Sequence, residues 1–293
     1  MGESKRNGFP PLPLMRDEQV IEAPVDIHNI TERYTEEAVT FIRANRDRPF
    51  FLYLPHTMPH IPLAVSREAK GKSKGGLYGD VIERLDWSTG VILDTLRELK
   101  LDEQTLVIFT SDNGPWLKQG KNGGAALPLR EGKATTFEGG MRVPCIARWP
   151  GQIPAGSVCS EVAATIDLLP TLAGLAGAKL SSERKIDGRD IRPLLFAEPG
   201  ARSPHEAYYY CFRGLEAIRA GRWKLHLEHS GRTKNDSSTA QALFDLETDI
   251  GESHDVATEH PEIVQRLSIQ GKAFWSELEA SKRQPGRMEK ETK

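Results

Sequence analysis

The sequence is short of cysteine, of long apolar runs and of any dominant charge, and each shortage excludes something. Three cysteines occur in 293 residues. Cys145, Cys159 and Cys211 are too few and too scattered for a disulfide framework or a zinc site, so they are expected to be buried thiols. No apolar stretch approaches the ~18 residues of a membrane span. The first seven residues, Met1-Gly2-Glu3-Ser4-Lys5-Arg6-Asn7, are polar. They carry no signal-peptide core and lack the hydroxyl residue that a myristoylation site prefers. Net charge is -2 with Lys and Arg scattered, which leaves no footprint for nucleic acid. The remaining balance, 38% hydrophobic and 27% charged, is that of an ordinary globular chain long enough for about two domains.

What is present centres on Thr105-Leu106-Val107-Ile108-Phe109-Thr110-Ser111-Asp112-Asn113-Gly114. Four apolar residues bounded by polar ones read as a strand buried on both faces, of the kind found inside a parallel sheet. Open α/β sheets carry their chemistry at the carboxyl ends of such strands. There, Asp112 and Asn113 offer adjacent hard oxygens suited to Ca²⁺ or Mg²⁺. Alone, these residues equally read as a strand followed by an Asn-Gly turn.

Upstream, residues 8–25 hold four prolines and read as an extended strap. Thr31 is placed to cap a helix over 32–45, and residues 49–54 read as a second buried strand. The loop after it, Pro55-His56-Thr57-Met58-Pro59-His60-Ile61-Pro62, is stiffened by proline, which restricts where both histidines can lie. A basic loop over 70–79 precedes a helix over 80–100. After Gly114 comes a long glycine-rich loop containing Arg130-Glu131-Gly132-Lys133-Ala134-Thr135-Thr136-Phe137-Glu138-Gly139-Gly140. Its Gly132-Lys133 pair is not a P-loop, since Leu127 stands where a glycine is required and Ala134 where Ser or Thr is. Residues 145–149 read as a strand. Asp167 is placed to cap a short helix that ends at Gly177, and 178–204 read as a polar linker. Four short strands follow at 208–212, 216–219, 223–227 and 243–246, with a tight turn at Ala220-Gly221-Arg222, and then a helix after Pro261. The expected organisation is an α/β domain over 1–204 and a small antiparallel α+β subdomain over 205–293. Asn29 and Asn235 begin glycosylation-pattern triplets of a length that chance supplies, and 284–293 read as a charged, frayed end.

Together these segments resemble the type I sulfatases, close to the arylsulfatase A branch of the alkaline phosphatase superfamily. The resemblance rests on Arg48-Pro49-Phe50-Phe51-Leu52-Tyr53, on Leu106 through Pro115, and on Gly132-Lys133 with Phe137-Glu138-Gly139-Gly140. Asp167-Leu168-Leu169-Pro170-Thr171-Leu172 and Leu243-Phe244-Asp245-Leu246 with Gly251-Glu252 complete the ordered set. It implies an alkaline phosphatase-like fold, a mixed and mostly parallel sheet flanked by helices, with a small C-terminal antiparallel sheet and helix. It implies that Asp112 and Asn113 ligate a divalent cation, Ca²⁺ or alternatively Mg²⁺, and that His60 and Lys133 are catalytic and hold a sulfate ester. His60 matches better than His56, because an apolar residue and a proline follow it directly.

The implied activity is sulfuric ester hydrolysis on a small-molecule or glycan sulfate ester. Family members are exported to the periplasm, lysosome or cell exterior. The family's nucleophile is a formylglycine made in a Cys-x-Pro-x-Arg type motif, and none of the three cysteines here stands in one. The chain resembles the C-terminal portion of a sulfatase and is expected to be incomplete as a catalyst by itself. Two other readings stay open: a phosphodiesterase or phosphonate hydrolase of the same superfamily, and a noncatalytic binding protein on the sulfatase fold.

Overall fold

A computed structural model describes residues 11–183, 185–212, 214–227 and 241–283. The Asn235 triplet and residues 284–293 lie outside them. The chain forms two compact units, one of residues 1–105 with 119–124, the other of 106–118 with 125–293.

Among the described residues, the stretch expected as an extended strap forms a hairpin. Strands β1 (Leu14–Arg16) and β2 (Gln19–Glu22) pair antiparallel. Helix α1 spans Ile30–Ala44 and α2 spans Gly76–Glu98. Thr31 lies inside α1 instead of capping it, because a 3₁₀ turn at Ile27–Asn29 leads in and Asp26 accepts the His28 amide at its start. Helix α2 begins ahead of the expected position. Buried Asp80 is committed elsewhere, accepting the backbone amides of Gly71, Lys72 and Ser73 and so closing the basic loop onto the helix. Ile30, Val81, Leu85, Met58, Ala64 and Val65 form the core. Residues 49–54 join no strand among the described residues, and Phe51 and Tyr53 are 70% and 76% exposed. An apolar run supplies side chains for a strand, but pairing needs a neighbouring backbone.

In the second unit, β3 (Val107–Thr110), α3 (Glu138–Met141) and β4 (Cys145–Arg148) come first. β3 pairs antiparallel with β4, and every strand pairing among the described residues is antiparallel. The expected parallel neighbours of β3 are therefore not among these strands, and Phe109 is 40% exposed rather than buried. Helices α4 (Leu168–Leu175) and α5 (Arg192–Leu195) follow. Asp167 does not bond the first amides of α4; its buried carboxylate accepts from Ala164 N, Arg189 N and His205 Nε2 instead. Within the stretch read as a linker, Ile191 and Leu194 are buried, while residues 178–183 and 197–200 are exposed. All three cysteines are exposed, because Cys145 and Cys211 sit at strand ends and Cys159 in an irregular segment.

A four-stranded sheet follows, β5 (Tyr208–Cys211), β6 (Leu215–Ala220), β7 (Trp223–His226) and β8 (Ala242–Asp245), in that spatial order, with helix α6 over Pro261–Ser281. Strand alternation divides its side chains between two faces. Ile218, Leu225 and Leu243 are paired across the sheet and pack on Leu267 of α6, each fully buried and contributing roughly 1.5–3 kcal/mol. The opposite face carries Tyr210, Ala217, Lys224, His226 and Phe244, and these are buried too. A strand that reads as apolar on one side and polar on the other here has neither side in water.

Candidate functional site

The polar exit of β3 is held by backbone contacts to the glycine-rich loop. Gly114 N donates to Gly140 O at 3.0 Å, and Lys133 N donates to Pro115 O at 2.8 Å. These approaches explain the glycines: a Cβ on Gly114 would lie 1.8 Å from Gly139 O, and one on Gly132 would lie 2.4 Å from Pro115 O. The structure thus brings Asp112, Asn113 and Lys133 into one loop cluster at the end of the strand. Asp112 is exposed and Asn113 half-buried. Lys133 is half-buried, with Nζ 5.6 Å from the Trp116 ring centre, within cation–π reach. On either side of it, Glu131 and Ala134 have φ of 60° and 71°, left-handed values that cost a side-chain-bearing residue energy and that cluster at working sites.

His60 belongs to the first unit. It is exposed, and Nδ1 lies 2.7 Å from its neighbour's carbonyl, Ile61 O. A carbonyl only accepts, so Nδ1 carries the proton and Nε2 of the neutral ring is a base. His56 is placed differently. Its Nε2 is 3.4 Å from buried Ser88 Oγ, its Nδ1 is buried without a hydrogen-bond partner, and burial lowers its pKa.

Asp112 and Asn113 fit a hard cation in kind, but supply two of the roughly six to eight oxygens that Ca²⁺ takes. Among the described residues no group of three or more His, Cys, Asp or Glu side chains is placed to hold a metal ion.

Sequence reasoning missed a buried ionic cluster directly behind the loop. Glu138, at the start of α3, accepts Lys224 Nζ at 2.9 Å and the Tyr210 hydroxyl at 3.2 Å through Oε1. Its Oε2 takes Arg142 at 2.7 Å and Arg219 at 3.4 Å. Lys224 Nζ also reaches Glu252 Oε1 at 3.0 Å, and His226 Nε2 donates to that same oxygen at 2.9 Å. Burial pushes the Glu138 carboxyl upward, yet the Lys224 ammonium, aided by Arg142 and Arg219, overcomes this and holds it down at about 2. Burial likewise opposes ionisation of Glu252, but the His226 hydrogen bond and Lys224 lower it. Burial lowers His226, partly offset by Glu252.

These shifts share one sign. His226 folds with its pKa below the ordinary 6.5, so the unfolded chain takes up protons first and stability falls as pH drops through that value. Glu138, ordinarily 4.5, adds a second loss between there and about 2. That second loss is on the order of 3 kcal/mol. Thermal unfolding measured down this pH range is expected to show both declines, and Glu138→Gln should flatten the lower one. An acid limb unchanged by Glu138→Gln would show that other carboxylates dominate.

Against known proteins, residues 13–178 match the sulfatase family, and residues 132–272 match the family described as N-sulphoglucosamine sulphohydrolase, C-terminal. Human steryl-sulfatase is 43% identical over 212 residues, covering 70% of this chain and 36% of that protein. Human arylsulfatase A is 36% identical over 286 residues, covering 89% of this chain and 56% of that protein. Among solved structures, the PsFucS1 sulfatase from Pseudoalteromonas sp. superposes with a TM-score of 0.82 at 29% identity, covering 91% of this chain and 56% of that one. The chain therefore spans between about a third and a little over half of these relatives. With two overlapping family matches, substantial identity and the alkaline phosphatase-like fold of its structural neighbours, the chain belongs to the sulfatase family.

Proposed function

We propose that this chain carries the anion-holding and leaving-group residues of a sulfuric ester hydrolase. The carrying observation is the loop cluster that fastens Lys133 to the exit of β3 beside Asp112 and Asn113. A sulfate ester presents negative nonbridging oxygens, and a lysine ammonium is a compact charge suited to hold them. Asp112 and Asn113 would hold a divalent cation, Ca²⁺ or Mg²⁺, which supplies further positive charge to the ester oxygens when bound. His60 would protonate the leaving oxygen as the S–O bond breaks, the proton coming from Nε2 of the imidazolium. The Ile61 carbonyl at Nδ1 supports this role by orienting the ring. His56, tied to Ser88, is the less suited of the two.

Attack on sulfur needs a nucleophile that these residues do not supply, since none of the cysteines stands in a formylglycine motif. The 293-residue chain assayed alone with Ca²⁺ and an aryl sulfate is therefore expected to give no turnover. Joined to a formylglycine-bearing segment from a close relative, it should release sulfate. Metal-dependent turnover by the chain alone would overturn the assignment of roles. A joined form that cleaves an aryl phosphonate while leaving the sulfate intact would move the activity to phosphoryl esters.

A further inference from the structure

The loop that carries Lys133 is anchored on both sides by a single residue more than a hundred positions away. Glu252 O accepts Arg130 Nη1 at 2.8 Å, on one flank of Lys133. Glu252 Oε2 accepts the Glu138 backbone amide at 2.7 Å, on the other. At its base the loop closes on itself through Gly139 N to Arg130 O at 2.8 Å. Glu252 has φ of 51°, a left-handed conformation that is uncommon without glycine. In that conformation both its carbonyl and its side chain bond the loop. Its remaining oxygen is fixed by Lys224 and His226. The His226 ring stacks on Phe137 with centroids 4.4 Å apart, and the Arg130 guanidinium lies 4.1 Å from the other ring's centre.

We propose that Glu252 is a positioning residue for Lys133: it clamps both flanks of the loop so that the strained segment between them presents the lysine in one place. The proposal rests on the reading of Lys133 as the residue that holds the ester. The strain at Glu131 and Ala134 is what makes a clamp necessary. A loop with two left-handed, non-glycine residues relaxes unless its ends are held. Glu252 touches no reacting atom in this scheme and acts only through the loop. Lys224 and His226 serve by fixing the carboxylate, with the Glu252 charge balanced inside the cluster.

Two measurements test it. In the 293-residue chain, Glu252→Ala is expected to speed amide exchange across residues 131–138 by about tenfold or more beyond any change at the Ile218 and Leu225 amides. Glu252→Gln, which keeps the shape and one acceptor oxygen, should fall between this variant and the parent. A uniform rise that includes the sheet amides would mean general destabilisation and overturn the clamp. In the joined form that turns over sulfate, Glu252→Ala should lower kcat/KM by about tenfold or more, and add nothing on a Lys133→Ala background. Equal losses on both backgrounds would overturn the coupling to Lys133. Should Lys133→Ala itself leave turnover unchanged, the reading of Lys133 fails and the positioning role with it. Localised exchange would then mark Glu252 as a structural clamp alone.

Discussion

Replacing Lys224 by Met is expected to destabilise the second unit by about 3–5 kcal/mol at neutral pH. The substitution nearly conserves volume, so an empty cavity is not the main cost. The cost is electrostatic. The ammonium is fully buried and lies 2.9 Å from Glu138 Oε1 and 3.0 Å from Glu252 Oε1, both carboxylates being about as buried as it is. Removing it leaves two anions out of water with Arg142, Arg219, His226, the Tyr210 hydroxyl and the Glu138 amide beside them. Glu252, which keeps only a histidine and a backbone amide, should respond by taking up a proton. For a unit of this size the loss corresponds to a fall in Tm of roughly 10 °C. Adding Glu252→Gln to Lys224→Met should recover part of it, because a neutral pair costs less to bury than a lone charge. Thermal unfolding of the two single variants and the double variant decides the matter. A Lys224→Met protein that unfolds within about a degree of the parent would show the cluster to be energetically idle.

This cluster also marks where the sequence stopped being legible. The strands at 208–226, the glycine turn after β6 and the long final helix follow from alternation, turn chemistry and helical spacing, and they fold as those patterns require. The loop residues Asp112, Asn113 and Lys133 were visible as ordered motifs, and the backbone contacts that gather them account for the glycines around them. Lys224 and His226 gave no such signal. In Trp223-Lys224-Leu225-His226 they occupy the polar half of an alternating strand, the ordinary signature of a face in water. The cover on that face comes from residues 137 and 138, far along the chain, and no local pattern reports so distant a partner. Glu252 was visible as part of a motif, but its role depends on a left-handed backbone that its residue type does not suggest. Residues 49–54 failed for the converse reason. Their side chains suit a strand, but no backbone among the described residues pairs with them.

In the joined form that turns over sulfate, Lys133→Ala is expected to lower kcat/KM by about 10²–10³-fold, the scale of removing one preorganised charge-stabilising donor. His60→Ala should cost about 10²–10⁴-fold, the range of general acid help. The two losses should differ in their dependence on the leaving group, and that difference identifies the roles. In the proposed scheme the lysine would hold the nonbridging oxygens, which are the same in every sulfate ester, so its loss should weigh equally on alkyl and aryl substrates. The histidine would protonate the leaving oxygen. An alkoxide needs that proton badly and an acidic phenol such as nitrophenol scarcely does, so the His60→Ala defect should be large on an alkyl sulfate and small on nitrophenyl sulfate. Because Nδ1 of His60 donates to the Ile61 carbonyl, the transferred proton would come from Nε2 of the imidazolium. A His60→Ala enzyme equally impaired on both substrates would remove the general acid from His60, and a defect found only with His56→Ala would transfer the role to His56.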